Sequence, residues 1–90
     1  MSLEFRTLGL IEDDPIMGES LARSLTLEGA KVHWWASGGE ALSRIAAAGV
    51  DAVICDIRLP DRSGAEIFRE LARTSSAPPF LFITGYGDID

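Results

Sequence analysis

Apolar positions along the chain follow two different rhythms. Leu8 to Ile11, Lys31 to Ala36, Ala52 to Cys55 and Phe80 to Ile83 are short, nearly continuous runs rich in aliphatic and aromatic residues. Between them, apolar residues return every three or four positions: Met17, Leu21 and Leu25, then Leu42, Ile45 and Ala46, then Ile67, Phe68, Leu71 and Ala72. A period near 3.6 predicts helices with one buried stripe, and a short unbroken run predicts a strand covered on both faces. The boundaries carry matching signals. Asp14 is a good N-cap and Pro15 suits the first helical position, Gly29 and Gly49 stand where two helices should stop, and Pro78-Pro79 ends the third helical segment from Gly64 to Arg73. Strands and helices therefore alternate throughout, the pattern of an α/β fold built on a parallel sheet.

Composition narrows the range of partners. The chain has 90 residues, enough for one domain, and a formal charge of −6 with its 8 basic residues scattered singly. Phosphate-backbone binding needs clustered Lys and Arg, so direct nucleic-acid contact and adhesion to an anionic membrane are not expected. The single cysteine, Cys55, cannot close an internal disulfide, which fits a reducing, cytoplasmic setting. No apolar run is long enough to span a membrane, and the opening Met1-Ser2-Leu3-Glu4-Phe5-Arg6 lacks the basic-then-apolar order of a signal peptide. Met1-Ser2-Leu3 is expected to be a cloning remnant, with the domain running over 4–90.

Candidate chemistry gathers where the strands end. In an open parallel sheet the carboxyl ends of the strands share one edge, and ligands bind outside it. Here those ends deliver Glu12 and Asp13, then Asp56, then Thr84. With strands one and three adjacent, three carboxylates converge and repel one another. A hard divalent cation relieves that repulsion, and Mg²⁺ accepts one or two carboxylates together with carbonyl and water oxygens. A carboxylate can also act as a nucleophile toward phosphorus, which makes an aspartyl phosphate one outcome of such a site.

Three motifs, Leu10-Ile11-Glu12-Asp13-Asp14-Pro15, Val53 to Gly64 (VICDIRLPDRSG) and Phe82 to Asp90 (FITGYGDID), resemble the receiver domain of two-component response regulators in order and spacing. The resemblance implies a flavodoxin-like doubly wound sheet of order 2-1-3-4, continued in the family by a fifth strand and flanking helices. It makes Asp56 the phospho-acceptor and, with Asp13, a direct Mg²⁺ ligand. The main-chain carbonyl of Arg58 would be a further ligand, and Glu12 would reach the metal through water. Thr84 would offer its hydroxyl and Gly85 its N–H to the phosphoryl group. Pro60 and Gly64 match the family's acceptor loop, and the Thr84-Gly85-Tyr86-Gly87 ending is similar to regulators of the nitrogen-regulation and nitrogen-fixation type. The partners implied are a histidine kinase as donor and an output domain, DNA-binding and transcriptional, outside this chain. Arg58 and Tyr86 would be modulators of phosphoryl lifetime.

The chain departs from the family by ending at Asp90, before the lysine that receivers carry on their fifth strand; its sole lysine, Lys31, starts strand two at the opposite edge. A fragment of a longer protein is therefore expected, with strand four as a bare edge that favours a homodimer. The competing reading is a receiver-like interaction module that takes no phosphate. A haloacid-dehalogenase-like phosphatase fits poorly, because its second carboxylate would fall on Arg58. Simpler readings suffice elsewhere. Asp14 is a cap, Cys55 a small buried residue, His33 a structural or surface residue, and Asp61 and Asp88 loop residues. Trp34 and Trp35 face opposite sides of strand two, one of them packed and the other at the sheet edge.

Overall fold

The computed structural model describes residues 3–74 and 77–83. Four strands, β1 (Thr7–Ile11), β2 (Lys31–Trp35), β3 (Ala52–Asp56) and β4 (Phe80–Ile83), alternate with three helices, α1 (Pro15–Leu27), α2 (Gly38–Ala48) and α3 (Gly64–Thr74). All pairings are parallel, and the sheet order is β2-β1-β3-β4. The expected α/β doubly wound architecture is present. Most expected boundaries lie within one residue of those observed; the informative difference is that β3 extends through Asp56 instead of stopping at Cys55.

The two central strands are the most deeply buried, as their unbroken apolar runs require. Alternation along them feeds two different layers. Ile11, Val53 and Cys55 join Trp35 of β2, Ala41 and Ile45 of α2 and Ile67 of α3 in one contiguous core. On the opposite face lies α1, whose stripe is only half covered. Met17, Leu21 and Leu25 are partly buried, Gly18 is the one fully buried residue of the helix, and Ile16 and Leu27 are each 80% exposed.

The adjacent tryptophans of β2 illustrate how the two layers are joined. Each ring lies against a glycine on a neighbouring element. A Cβ at Gly9 of β1 would stand 2.7 Å from Trp35 Cζ3, and one at Gly18 of α1 would stand 2.1 Å from Trp34 Cζ2. No side chain larger than hydrogen fits either place without moving an indole. Trp35 is buried in the α2/α3 core and stacks on His33, with ring centroids 5.9 Å apart. Trp34 remains 37% exposed at the sheet edge.

Both α1 and α2 start on a side-chain cap, the one at Asp14 being the cap its sequence signal predicts. Asp14 Oδ1 accepts the Ile16 N–H at 3.0 Å ahead of Pro15, and Ser37 Oγ accepts the Glu40 N–H at 3.2 Å at the start of α2. Gly29 and Gly49 follow their helices with φ of 103° and 63°. Among the described residues no helix is long and apolar enough to cross a membrane.

Candidate phospho-acceptor and metal site

Strand register brings the acids together. Ile11 lies beside Cys55 in the β1–β3 pairing, so the next residue on each strand, Glu12 and Asp56, stands at the same level at the carboxyl edge of the sheet. Asp13 follows directly, and carboxylate oxygens of Glu12, Asp13 and Asp56 all lie within 4.8 Å of one another. The cluster is not a solvated surface patch. Glu12 is 1% exposed and Asp56 4%, while Asp13 faces outward.

Every polar group of Glu12 except one is engaged. Its N–H donates to the Trp35 carbonyl at 3.0 Å, its carbonyl accepts the Trp34 indole N–H at 2.9 Å, and Oε2 accepts the Asp14 N–H at 3.1 Å. Oε1 is buried without a hydrogen-bond partner. Burial pushes the Glu12 carboxyl above its ordinary value; the Asp14 N–H pulls against this, and the charges of Asp56 and Asp13 add to the upward shift. A buried carboxylate oxygen with no donor and two acidic neighbours is a stable arrangement only if a proton or a cation supplies the missing positive charge. The donor set fits Mg²⁺, which prefers hard oxygen ligands and retains several waters.

Asp56 is held by its own loop. Its Oδ1 accepts the Arg58 N–H at 3.0 Å, and Arg58 forms an isolated antiparallel bridge with Ser63, closed by the Gly64 N–H on the Ile57 carbonyl at 3.1 Å. The backbone of Arg58 thus lies beside the Asp56 carboxylate. Cys55 points into the core, and burial, followed by the charges of Asp56 and Glu12, pushes its thiol up to about 12, which removes it as a nucleophile. Thr84, Gly85, Tyr86 and Asp88 lie outside the described residues.

Asp61 is more than a loop residue. Its carboxylate accepts the Gly38 N–H at 3.0 Å and the Gly39 N–H at 2.8 Å, binding the loop between β3 and α3 to the start of α2. A separation of 22 and 23 residues leaves no local motif that could have announced this. Burial pushes the Asp61 carboxyl upward, but the N–H groups of Gly39 and Gly38, its own N–H and the Arg62 guanidinium outweigh that and hold it below its ordinary 3.8. Asp61→Ala is expected to cost about 1 kcal/mol of stability, as for loss of a helix cap, read as a lower urea midpoint at neutral pH. Because the folded-state value is depressed, this contribution is present above pH 3.8 and disappears as acid protonates the group. Equal midpoints at neutral pH would show that the loop is held without it.

The model of the response regulator receiver domain matches residues 8–90. The chain belongs to that family. As a receiver domain it is 36% identical over 80 residues to the C4-dicarboxylate transport transcriptional regulatory protein DctD of Rhizobium meliloti, covering 89% of this chain and 17% of that protein. It is 39% identical over 75 residues to response regulator MprA of Mycolicibacterium vanbaalenii, covering 83% of this chain and 32% of that one. The receiver domain thus spans a third or less of the length of these two relatives. Among solved structures, response regulator TrrA of Thermotoga maritima in complex with Mg²⁺-BeF superposes with a TM-score of 0.84 at 28% identity, covering 91% of this chain and 71% of that one. TrrA in complex with histidine kinase ThkA gives a TM-score of 0.83 at 27% identity, with 93% and 67% coverage. A receiver domain is a signalling module of two-component systems rather than a classical enzyme.

Proposed function

We propose that this receiver domain, over residues 4–90, takes a phosphoryl group from a histidine kinase onto Asp56 in a Mg²⁺-dependent reaction, and that the modified domain switches a transcriptional, DNA-binding output domain outside these ninety residues. The observation that carries the reading is the convergence of Glu12, Asp13 and Asp56 within 4.8 Å, with one Glu12 oxygen buried and unpartnered. The kinase complex of TrrA supports the donor class, and the transcriptional regulator DctD supports the output. The setting proposed is the cytoplasm.

In the transfer, an Asp56 carboxylate oxygen forms a bond to phosphorus while the bond from phosphorus to the donor imidazole nitrogen breaks. The electron pair stays on that nitrogen, which ends as a neutral imidazole after proton exchange with solvent. Bound Mg²⁺ supplies neutralisation of charge on the phosphoryl oxygens. Asp13, Asp56 and the Arg58 carbonyl would hold it, with Glu12 acting through water. The Arg58 N–H on Asp56 Oδ1 orients the carboxylate, leaving Oδ2 as the attacking atom. Thr84 and Gly85 are proposed to donate to the transferred group.

Incubation with acetyl phosphate and Mg²⁺ is expected to add one phosphoryl group per chain by intact mass, and a chelator to abolish the gain. Equal uptake with and without chelator would contradict the metal requirement. Pairing of two copies through the β4 edge is proposed as well, since Leu81 and Phe82 there are 62% and 39% exposed. Light scattering after size exclusion is expected to give a dimer mass; a clean monomer would remove this element.

A further inference from the structure

The indole of Trp34 touches the acidic pair at one decisive point. Its Nε1–H donates to the main-chain carbonyl of Glu12 at 2.9 Å. That carbonyl belongs to the peptide joining Glu12 to Asp13. The peptide is planar, so fixing its oxygen fixes the plane, and with it the direction in which the Asp13 Cα and its side chain leave the strand. The other main-chain anchor of Glu12, its N–H on the Trp35 carbonyl at 3.0 Å, holds only the preceding peptide plane. Without the indole, the peptide between the two acids loses the hydrogen bond on its own oxygen and is held only through its neighbours.

The donor is itself braced. The ring lies over the first turns of α1, where a Cβ on Gly18 would come within 2.1 Å of Cζ2, 2.4 Å of Cε2 and 2.8 Å of Nε1. The atoms nearest that space are those of the N–H edge, so the bare Gly18 backbone sets how far the donor reaches toward Glu12. Asp14 adds a second link in the same short segment, since its N–H donates to Glu12 Oε2 while its carbonyl accepts the Gly18 N–H at 2.8 Å. An edge-strand aromatic, a helix glycine and the acidic turn thus form one connected unit.

We propose that Trp34 is a positioning residue for the metal pocket: braced on Gly18, its indole N–H fixes the peptide plane between Glu12 and Asp13 and so raises the affinity of the carboxylate cluster for Mg²⁺. The inference rests on the reading of that cluster as a Mg²⁺ site. It deepens that reading by assigning part of the affinity to a side chain that never touches the ion.

The test is calorimetric titration of Mg²⁺ into the 90-residue chain, beside a version in which benzothienylalanine replaces Trp34. That replacement keeps the bicyclic shape and removes the N–H. A second version, Trp34→Phe, removes both the N–H and part of the ring, and urea midpoints of all three are measured without metal. The benzothienyl chain is expected to bind Mg²⁺ about fivefold more weakly, as for loss of one hydrogen bond worth about 1 kcal/mol, with a urea midpoint close to the parent's. Parental affinity in the benzothienyl chain overturns the inference, whatever Trp34→Phe does, and assigns Trp34 to packing alone. A parent chain that takes up no Mg²⁺ overturns the reading of the pocket, and the inference with it.

Discussion

Asp56→Asn is expected to take up no phosphoryl group from acetyl phosphate under conditions that phosphorylate the parent chain fully. An amide oxygen has no full negative charge to direct at phosphorus, and no neighbouring group can take its place in the same position. Asp13 is exposed and leaves the sheet from β1, and the Asp61 carboxylate already accepts the N–H groups of Gly38 and Gly39. The fold should survive the change. Asparagine has the same shape, its oxygen can still accept the Arg58 N–H, and one charge leaves a cluster of three. Circular dichroism and a urea midpoint at or above the parent's are the expected controls. Parental uptake in the variant would move the acceptor to another carboxylate.

Glu12→Gln is expected to do two opposite things. Without a divalent cation it should raise stability at neutral pH by about 1–3 kcal/mol, the usual cost of a buried polar atom left unsatisfied. The amide keeps an oxygen for the Asp14 N–H and turns a donor toward Asp56 and Asp13, where the parent has an unpartnered oxygen. With Mg²⁺ present the advantage should shrink or reverse, because a ligand that binds only the folded state stabilises whichever chain binds it better. The pH dependence follows from the upward shift of the Glu12 carboxyl above 4.5. Between that ordinary value and the raised one the folded parent holds a proton that the unfolded chain has lost, so parental stability falls as pH rises through this window. The variant has no such group, so its advantage should appear at neutral pH and fade on the acid side. Urea titrations with Mg²⁺ or with chelator, at two pH values, read all of this. A variant less stable than the parent in chelator would show that ionised Glu12 is well solvated in the folded state.

These two residues also show how far the sequence could be read. The apolar run ending at Asp56 and the acids after Ile11 signalled their own positions, because a parallel sheet sends all its strand ends to one edge. Register then turned a shared edge into contact distance, placing Ile11 beside Cys55. The Asp14 cap was equally legible, since it acts within two residues of itself. Contacts across the fold were not. Asp61 meets the start of α2, and Trp34 meets Glu12, from 22 or 23 residues away, through geometry that no periodicity encodes. The stripe of α1 was readable as amphipathic, whereas its incomplete burial was not, because coverage of that face is decided by neighbours and not by the helix itself.

The central claim is that a carboxylate at the end of β3, held against a metal-binding acidic pair, is the atom group that accepts phosphorus. Its most direct test is to phosphorylate the chain with acetyl phosphate and Mg²⁺, reduce the acyl phosphate with borohydride, and locate the resulting homoserine by peptide mass mapping. The account predicts reduction at Asp56 and at no other acid, absent when chelator replaces Mg²⁺. Homoserine at Asp13 or Asp61, or its appearance at Asp56 in the presence of chelator, would contradict it.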